Sequence, residues 1–186
     1  MSKRVEFFFD VVSPYSYVAA VQVSRSPLLK AAEWRPFLLG GVMKASGNQP
    51  PMTVPAKAQY MARDLSRLFA YYGMRFRFPS VFPANSLTAM RALAAAPADQ
   101  LQPLALTLFD AYWGQGQNIA DAGVLAGLLP PDLLATASDE AVKEKLKANT
   151  EDAVRRGAFG APSLFVDDEL YFGEDRIFLV EHALTS

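Results

Sequence analysis

Cysteine is absent from this chain of 186 residues, and histidine occurs once, at His182. The lack of cysteine excludes disulfide bonds, a thiolate nucleophile of the protein's own and zinc sites built from Cys and His, so we expect no metal centre. A Ser-His-Asp triad would have to use His182, which lies in a predicted C-terminal helix and is expected to be structural. Thiol-disulfide exchange on the protein itself is therefore excluded.

The chain also lacks an excess of charge of either sign. Its 18 Lys and Arg residues nearly balance 19 Asp and Glu residues, so no overall positive charge is available to hold nucleic acid or an anionic membrane. No apolar run approaches the ~20 residues of a membrane-spanning helix, and the run at residues 5–9 is too short for a secretory signal and is split by Glu6. We expect a soluble, cytoplasmic protein.

The first forty residues predict a β-α-β unit. Residues 5–9 indicate a short buried strand, residues 15–25 an apolar helix with Pro14 at its first turn, and residues 34–39 a second strand. Such a unit implies that the two strands are parallel. Residues 43–55 are rich in Gly, Asn, Pro and Lys, and we predict a loop that is long enough to have a function.

The middle of the chain, residues 56–156, is predicted to be helical almost throughout because apolar side chains recur with i, i+3, i+4 spacing. The predicted helices cover residues 58–72, 86–96, 101–112, 121–129 and 139–156.

The end of the chain returns to a β pattern. Residues 163–166 and 170–172 predict two strands around a turn, and residues 176–184 predict a closing helix. A β-α-β half and a β-β-α half separated by helices predict an α/β, thioredoxin-like fold. Its discontinuous domain would comprise residues 1–55 and 157–186, and residues 56–156 would form an inserted all-α domain.

The segment Ser13-Pro14-Tyr15-Ser16 lies where the first predicted strand leads into the first helix. In thioredoxin-like folds this position carries Cys-x-x-Cys, because unpaired N–H groups at the helix end stabilise a thiolate. Serine cannot exchange disulfides, but the Ser13 hydroxyl and the same N–H groups can stabilise a thiolate brought by another molecule. The motif alone equally fits simple N-capping by Ser13.

A second segment, residues 157–163, places Pro162 at the head of a predicted strand. Thioredoxin-like proteins have a cis-proline at this position, facing the active loop. The backbone of Ala161 would then be free to pair with a peptide-like ligand.

Several segments, in chain order, carry a resemblance that covers nearly the whole sequence. They are FDVVSPYSY at residues 9–17, SGNQPP at 46–51, FPANS at 82–86, and GAFGAP at 157–162 followed by FGEDR at 172–176. These motifs resemble those of the 2-hydroxychromene-2-carboxylate isomerases and the kappa-class glutathione transferases. The resemblance implies a thioredoxin fold like that of the disulfide oxidoreductase DsbA with an inserted helical domain, glutathione as cofactor, and a homodimer.

Carried over residue by residue, the resemblance implies that Ser13 is catalytic and hydrogen-bonds the sulfur of glutathione. The other glutathione-binding residues that it implies are Tyr15, Ser16, Asn48, Pro55, Ala161, Pro162, Glu174 and Asp175. Glu174 replaces the Ser, Gln or Asn of some relatives. Asp175 directly precedes the last predicted helix and would also fit an N-cap.

Basic side chains are candidates for binding a carboxylate of glutathione or of an acidic substrate. Lys44, Lys57 and Arg35 are the candidates, and Lys57 is preferred, although scattered basic residues are usually solvated surface. Asn85 is a further candidate for substrate binding, and Trp113, at the end of an apolar helix, is expected to belong to the core.

Three functions are compatible with these features. The leading hypothesis is a glutathione-dependent isomerase that interconverts 2-hydroxychromene-2-carboxylate and trans-o-hydroxybenzylidenepyruvate in the catabolism of aromatic hydrocarbons. The alternative is a kappa-class-like glutathione transferase or peroxidase acting on electrophiles, which the SGNQPP segment favours. A non-catalytic thioredoxin-like binding protein is the third.

Overall fold

The computed structural model describes residues 3–186, and its strands form one mixed sheet with the order β2-β1-β3-β4. The strands are β1 (Val5–Phe9), β2 (Glu33–Pro36), β3 (Ser163–Val166) and β4 (Glu169–Phe172). β1 pairs with β2 in parallel and with β3 in antiparallel orientation. Because β1 is central and fully buried, its carboxyl end delivers the residues that follow it into the interior.

Nine α-helices lie in the described part of the chain. They are α1 (Pro14–Arg25), α2 (Leu39–Ser46), α3 (Pro55–Tyr71), α4 (Leu87–Ala95), α5 (Ala98–Phe109), α6 (Ala122–Leu128), α7 (Pro131–Thr136), α8 (Glu140–Arg155) and α9 (Ile177–Thr185). A π-helical turn, Asp110–Gly114, continues α5. Within residues 3–186, none of these helices has the length and apolar character needed to cross a bilayer.

The element order confirms the predicted fold, with helices α2 to α8 between the β1-α1-β2 half and the β3-β4-α9 half. Two predictions differ from the structure. The segment at residues 43–55, expected to be a loop, begins within a helix, α2. The strand expected at residues 34–39 ends at Pro36. The glycines of α2 occur in its first turn, where they destabilise the helix little. Gly47, at φ 72°, ends the helix in the left-handed conformation that glycine tolerates best.

The sheet and the inserted helices share one hydrophobic core. Phe7 and Phe9 of β1 belong to the same buried cluster as Phe109 and Trp113 of the insertion, and the rings of Phe9 and Phe109 are 5.7 Å apart. Helix α3 begins at Pro55 and α8 ends at Arg155. The domain bounds drawn from the sequence stay a prediction.

Candidate active site

A cleft of about 1130 Å³ opens at the carboxyl end of β1, between α2, α3 and the loops that precede β3 and α9. Most of the residues predicted for the site line it, although they come from distant parts of the chain. The predicted residues that line the cleft are Ser13, Tyr15, Asn48, Lys57, Asn85, Ala161, Pro162, Glu174 and Asp175.

Ser13 is the N-cap of α1 and is almost completely buried. Its Oγ accepts a hydrogen bond from Ser16 N at 3.1 Å and donates one to Ala161 O at 3.1 Å. Pro14 has no N–H, and the Tyr17 N–H donates to Ser13 O. Among the hydrogen bonds of residues 3–186, the Tyr15 N–H is therefore the first-turn donor left for an anion at this helix end.

Four residues considered from the sequence do not line the cleft. Ser16 is fully buried behind Ser13, Pro55 is exposed at the first position of α3, and Lys44 is exposed on α2. Arg35 lies in an ion-pair network, with Nη1 2.5 Å from Glu6 Oε1, on another side of the sheet. Its charge is therefore not directed to a ligand in the cleft.

The loop before β3 forms the wall opposite Ser13. The Ala161–Pro162 peptide bond is cis, and so is Phe82–Pro83. Asn48 Nδ2 donates to Phe159 O at 2.8 Å, which joins the segment after α2 to this loop. Asn48 thus has a structural contact in addition to its position on the cleft.

One end of the cleft is acidic. Burial, reinforced by the charges of Asp175 and Asp64, raises the pKa of Glu174 to about 7. The Tyr15 hydroxyl donates to Asp64 Oδ2 at 3.0 Å, and burial together with this carboxylate raises the pKa of Tyr15. These carboxylates make this end suited to a cationic group such as an ammonium ion.

Asp64 of α3 was missed by the sequence analysis. It follows Lys57 by two helical turns, so both side chains lie on the same face of α3. That spacing is the signal that could have identified it. Among the described residues that line the cleft, Lys57 is the one cationic side chain.

Asp10, the first residue after β1, was missed as well. Its Oδ1 accepts a hydrogen bond from Val12 N at 3.1 Å and its Oδ2 one from Leu39 N at 3.0 Å. Burial raises the pKa of Asp10, although these N–H donors and the Ser86 side chain oppose the shift. Its position in FDVVSP could have identified it, because Asp10 directly follows a buried strand and precedes Ser13 in the same loop.

Trp113 supports the same loop from the insertion. It is completely buried, as expected for a core residue, and its Nε1 donates to Val11 O at 2.9 Å. The backbone of Val11 also donates to Met90 Sδ at 3.5 Å. The loop that carries Ser13 is therefore held by two residues of the inserted helices.

Comparison with known proteins identifies the family and the fold of the chain. The sequence profile of the DSBA-like thioredoxin domain matches residues 4–185. Glutathione S-transferase kappa 1 of Rattus norvegicus is 34% identical, over 97% of this chain and 90% of that protein. A 2-hydroxychromene-2-carboxylate isomerase of Sphingobium xenophagum is 33% identical, over 99% of both chains.

Among solved structures, a 2-hydroxychromene-2-carboxylate isomerase superposes with a TM-score of 0.84 at 28% identity, covering 97% of this chain and 94% of that one. The match therefore includes the inserted helices as well as the sheet. The chain belongs to the DSBA-like thioredoxin family, together with the kappa-class glutathione transferases and the 2-hydroxychromene-2-carboxylate isomerases.

Proposed function

We propose that this protein is a glutathione-dependent enzyme whose cleft binds the tripeptide and whose Ser13 stabilises the sulfur as a thiolate. The observation that carries the proposal is the placement of the Ser13 hydroxyl. It lies at the N-terminus of α1, 3.1 Å from the carbonyl oxygen of Ala161, and borders the cleft. An enzyme without cysteine needs such a receptor for a thiolate that comes from elsewhere.

The donors and acceptors of the cleft fit glutathione, which carries an ammonium group, two carboxylates and a peptide backbone. Glu174 and Asp175 would bind the ammonium group at the acidic end, and Lys57 would bind a carboxylate. The backbone of Ala161 would pair with the cysteinyl unit. The ammonium group, one of the two carboxylates and the cysteinyl backbone of the tripeptide thus each have a complementary group among the residues that line the cleft.

Glutathione, when bound, supplies the nucleophilic sulfur that this chain lacks. Ser13 donates its hydroxyl hydrogen to the anion, and the positive end of the α1 dipole with the Tyr15 N–H lowers the pKa of a thiol placed there. Apolar side chains such as Met61 and Phe82 in the same cleft exclude water and strengthen these interactions.

The first candidate reaction is the interconversion of 2-hydroxychromene-2-carboxylate and trans-o-hydroxybenzylidenepyruvate, in which glutathione is regenerated. The full-length similarity to isomerases supports it. Asn85, which lines the cleft beside Phe82, is the proposed contact for this aromatic acid. A cytoplasmic homodimer is part of this proposal, and light scattering after size-exclusion chromatography measures the dimer.

A second candidate, conjugation or reduction of electrophiles by a transferase, is favoured by the charges of the cleft. Among the described residues that line the cleft, four carboxyl groups, those of Asp10, Asp64, Glu174 and Asp175, accompany one cationic side chain, Lys57; Arg176, outside the lining, pairs with Asp175. If Lys57 binds a carboxylate of glutathione, the remaining wall suits an uncharged apolar electrophile better than an anion.

Substitution of Ser13 tests the proposal. In Ser13→Ala the pKa of the bound glutathione thiol should rise toward that of a free thiol, and the turnover number should fall about 100-fold. Titration of the ultraviolet absorbance of the thiolate and steady-state kinetics measure these effects. Ser13→Thr, which keeps a hydroxyl group and can still cap α1, is the control and should retain most of the activity.

Two assays separate the candidate reactions. A spectral change of the chromene acid with catalytic glutathione supports the isomerase, and loss of one thiol for each chlorodinitrobenzene consumed supports the transferase. Calorimetric titration without any binding of glutathione to the wild-type protein would instead favour the non-catalytic binding protein.

A further inference from the structure

We propose that Asp10 is a positioning residue that fixes Ser13 relative to both walls of the cleft. The inference rests on the proposed function, because its effect is on the thiolate that Ser13 stabilises. Asp10 is 1% exposed, yet it borders the cleft. It is thus a buried carboxylate at the site that the proposed chemistry does not itself use.

The first set of contacts fixes the loop that carries Ser13. The backbone oxygen of Asp10 accepts from Ser13 N at 3.0 Å, and the side-chain Oδ1 accepts from Val12 N at 3.1 Å. Two consecutive N–H groups of the loop are therefore bound to one residue. Rotation of either peptide unit would move the Ser13 hydroxyl and the first turn of α1.

The second set of contacts reaches the walls of the cleft. Oδ2 accepts from Leu39 N at 3.0 Å, at the start of α2. The side chain of Ser86, from the segment before α4, stabilises the charged carboxylate and so lowers its pKa. Leu39 and Ser86 both line the cleft. One carboxylate therefore connects the loop of Ser13 with two walls that are distant in sequence.

The negative charge of Asp10 does not explain why this residue is buried beside the cleft. A carboxylate is costly to bury, and a negative charge close to a thiol raises the pKa of that thiol by repulsion. The first effect destabilises the folded protein, and the second opposes thiolate formation. We infer that the benefit is geometric and comes from the donors gathered around the carboxylate, the N–H groups of Val12 and Leu39 and the side chain of Ser86, which an apolar residue of similar size could not hold together.

The loss of charge and the loss of position predict opposite shifts of the thiol pKa, and the variant Asp10→Asn distinguishes between them. Loss of the charge alone would lower the pKa of the bound glutathione thiol. Loss of position would raise it, because an amide presents an NH₂ donor where one of the N–H groups needs an acceptor. We expect a rise of about one unit, and hence about tenfold less thiolate and activity below the thiol pKa.

Asn149→Ala is the matched structural control. Asn149 is also buried and donates from Nδ2 to Pro36 O at 2.9 Å, but it does not line the cleft. Its removal should lower the melting temperature and leave the thiol pKa unchanged. Ser86→Ala, which removes a hydroxyl group that stabilises the Asp10 carboxylate, is a milder variant that should raise the thiol pKa by less than Asp10→Asn does.

The outcomes are distinct. A higher thiol pKa in each cleft variant that folds, absent in Asn149→Ala, supports the proposal. If Asp10→Asn does not fold, Ser86→Ala provides the test. An unchanged or lower thiol pKa in a folded Asp10→Asn or Ser86→Ala protein overturns it. If the wild-type protein binds no glutathione, the proposed function fails first, and the inference about Asp10 fails with it.

Discussion

Glu174 is a carboxyl group whose ionisation the fold disfavours. Burial, with Asp175 and Asp64 nearby, raises its pKa from 4.5 to about 7. The folded protein therefore holds a proton that the unfolded chain releases above its lower pKa, and the free energy of unfolding falls as pH rises between these two values.

Glu174→Gln should remove this decline in stability. We expect the variant to be more stable than the wild type at about pH 8, by about 2 kcal/mol because partial solvation reduces the effect, and to differ little at about pH 4. Thermal unfolding across this pH range measures it. Glu151→Gln, on the exposed surface of α8, is the control, and an identical pH profile of all three proteins would contradict the prediction.

The sequence predicted those site residues that belong to a local motif. Ser13 and Ala161 were predicted from their positions at element ends, and Asp175 was predicted from the resemblance; all three line the cleft. Asp10 and Asp64 were not predicted because their hydrogen-bond partners are remote in the sequence. Leu39 is 29 positions from Asp10, and Tyr15 is 49 positions from Asp64. Contacts over such distances depend on the tertiary fold, which periodicity does not describe.

At the scale of elements, the end of α2 gives a second prediction. Gly47 has φ 72°, and a side chain there would strain the backbone even though open space surrounds it. Gly47→Ala should therefore lower the free energy of unfolding by about 1 kcal/mol and the melting temperature by about 3 °C. Calorimetry measures both.

Gly127→Ala is the matched control for this substitution. Gly127 lies within α6, also has open space at its missing side chain, and has no positive φ. Alanine should stabilise the protein there by several tenths of a kcal/mol. Equal effects of the two substitutions would mean that the conformation of Gly47 does not limit stability.

Long helices and buried strands were predictable because their patterns repeat. Helices α3 and α8 and strands β1 and β3 lie close to their expected bounds. Helix α2 was not predictable, since it has eight residues and two glycines. The contacts that support it come from Asp10 and from Thr150, whose Oγ1 accepts from Leu38 N at 3.0 Å.

At the scale of the whole molecule, the shared core predicts that the sheet and the insertion unfold together. The two tryptophans report on the two parts, because Trp34 lies in β2 and Trp113 in the insertion. In Trp34→Phe and Trp113→Phe, the urea transition of the remaining tryptophan's fluorescence should coincide with that of far-ultraviolet circular dichroism.

The comparison is made within each variant, so a difference in stability between the two variants does not affect it. Separate midpoints for Trp113 and for circular dichroism would show that the insertion unfolds independently. The sequence predicted an inserted helical domain between two halves of a thioredoxin-like unit. It did not reveal the common core, because the contact of Phe9 with Phe109 joins residues from separate predicted domains.

The hydrogen bond between Ser13 and Ala161 would compete with the proposed thiolate for the hydroxyl group of Ser13. A hydroxyl group has one hydrogen, and here that hydrogen is given to the Ala161 carbonyl at 3.1 Å. A thiolate that accepts this hydrogen bond leaves the Ala161 carbonyl without a donor. That loss costs free energy unless the ligand supplies an N–H group of its own. The pair should therefore select peptide thiols over simple thiols such as mercaptoethanol, whose sulfur has no neighbouring amide.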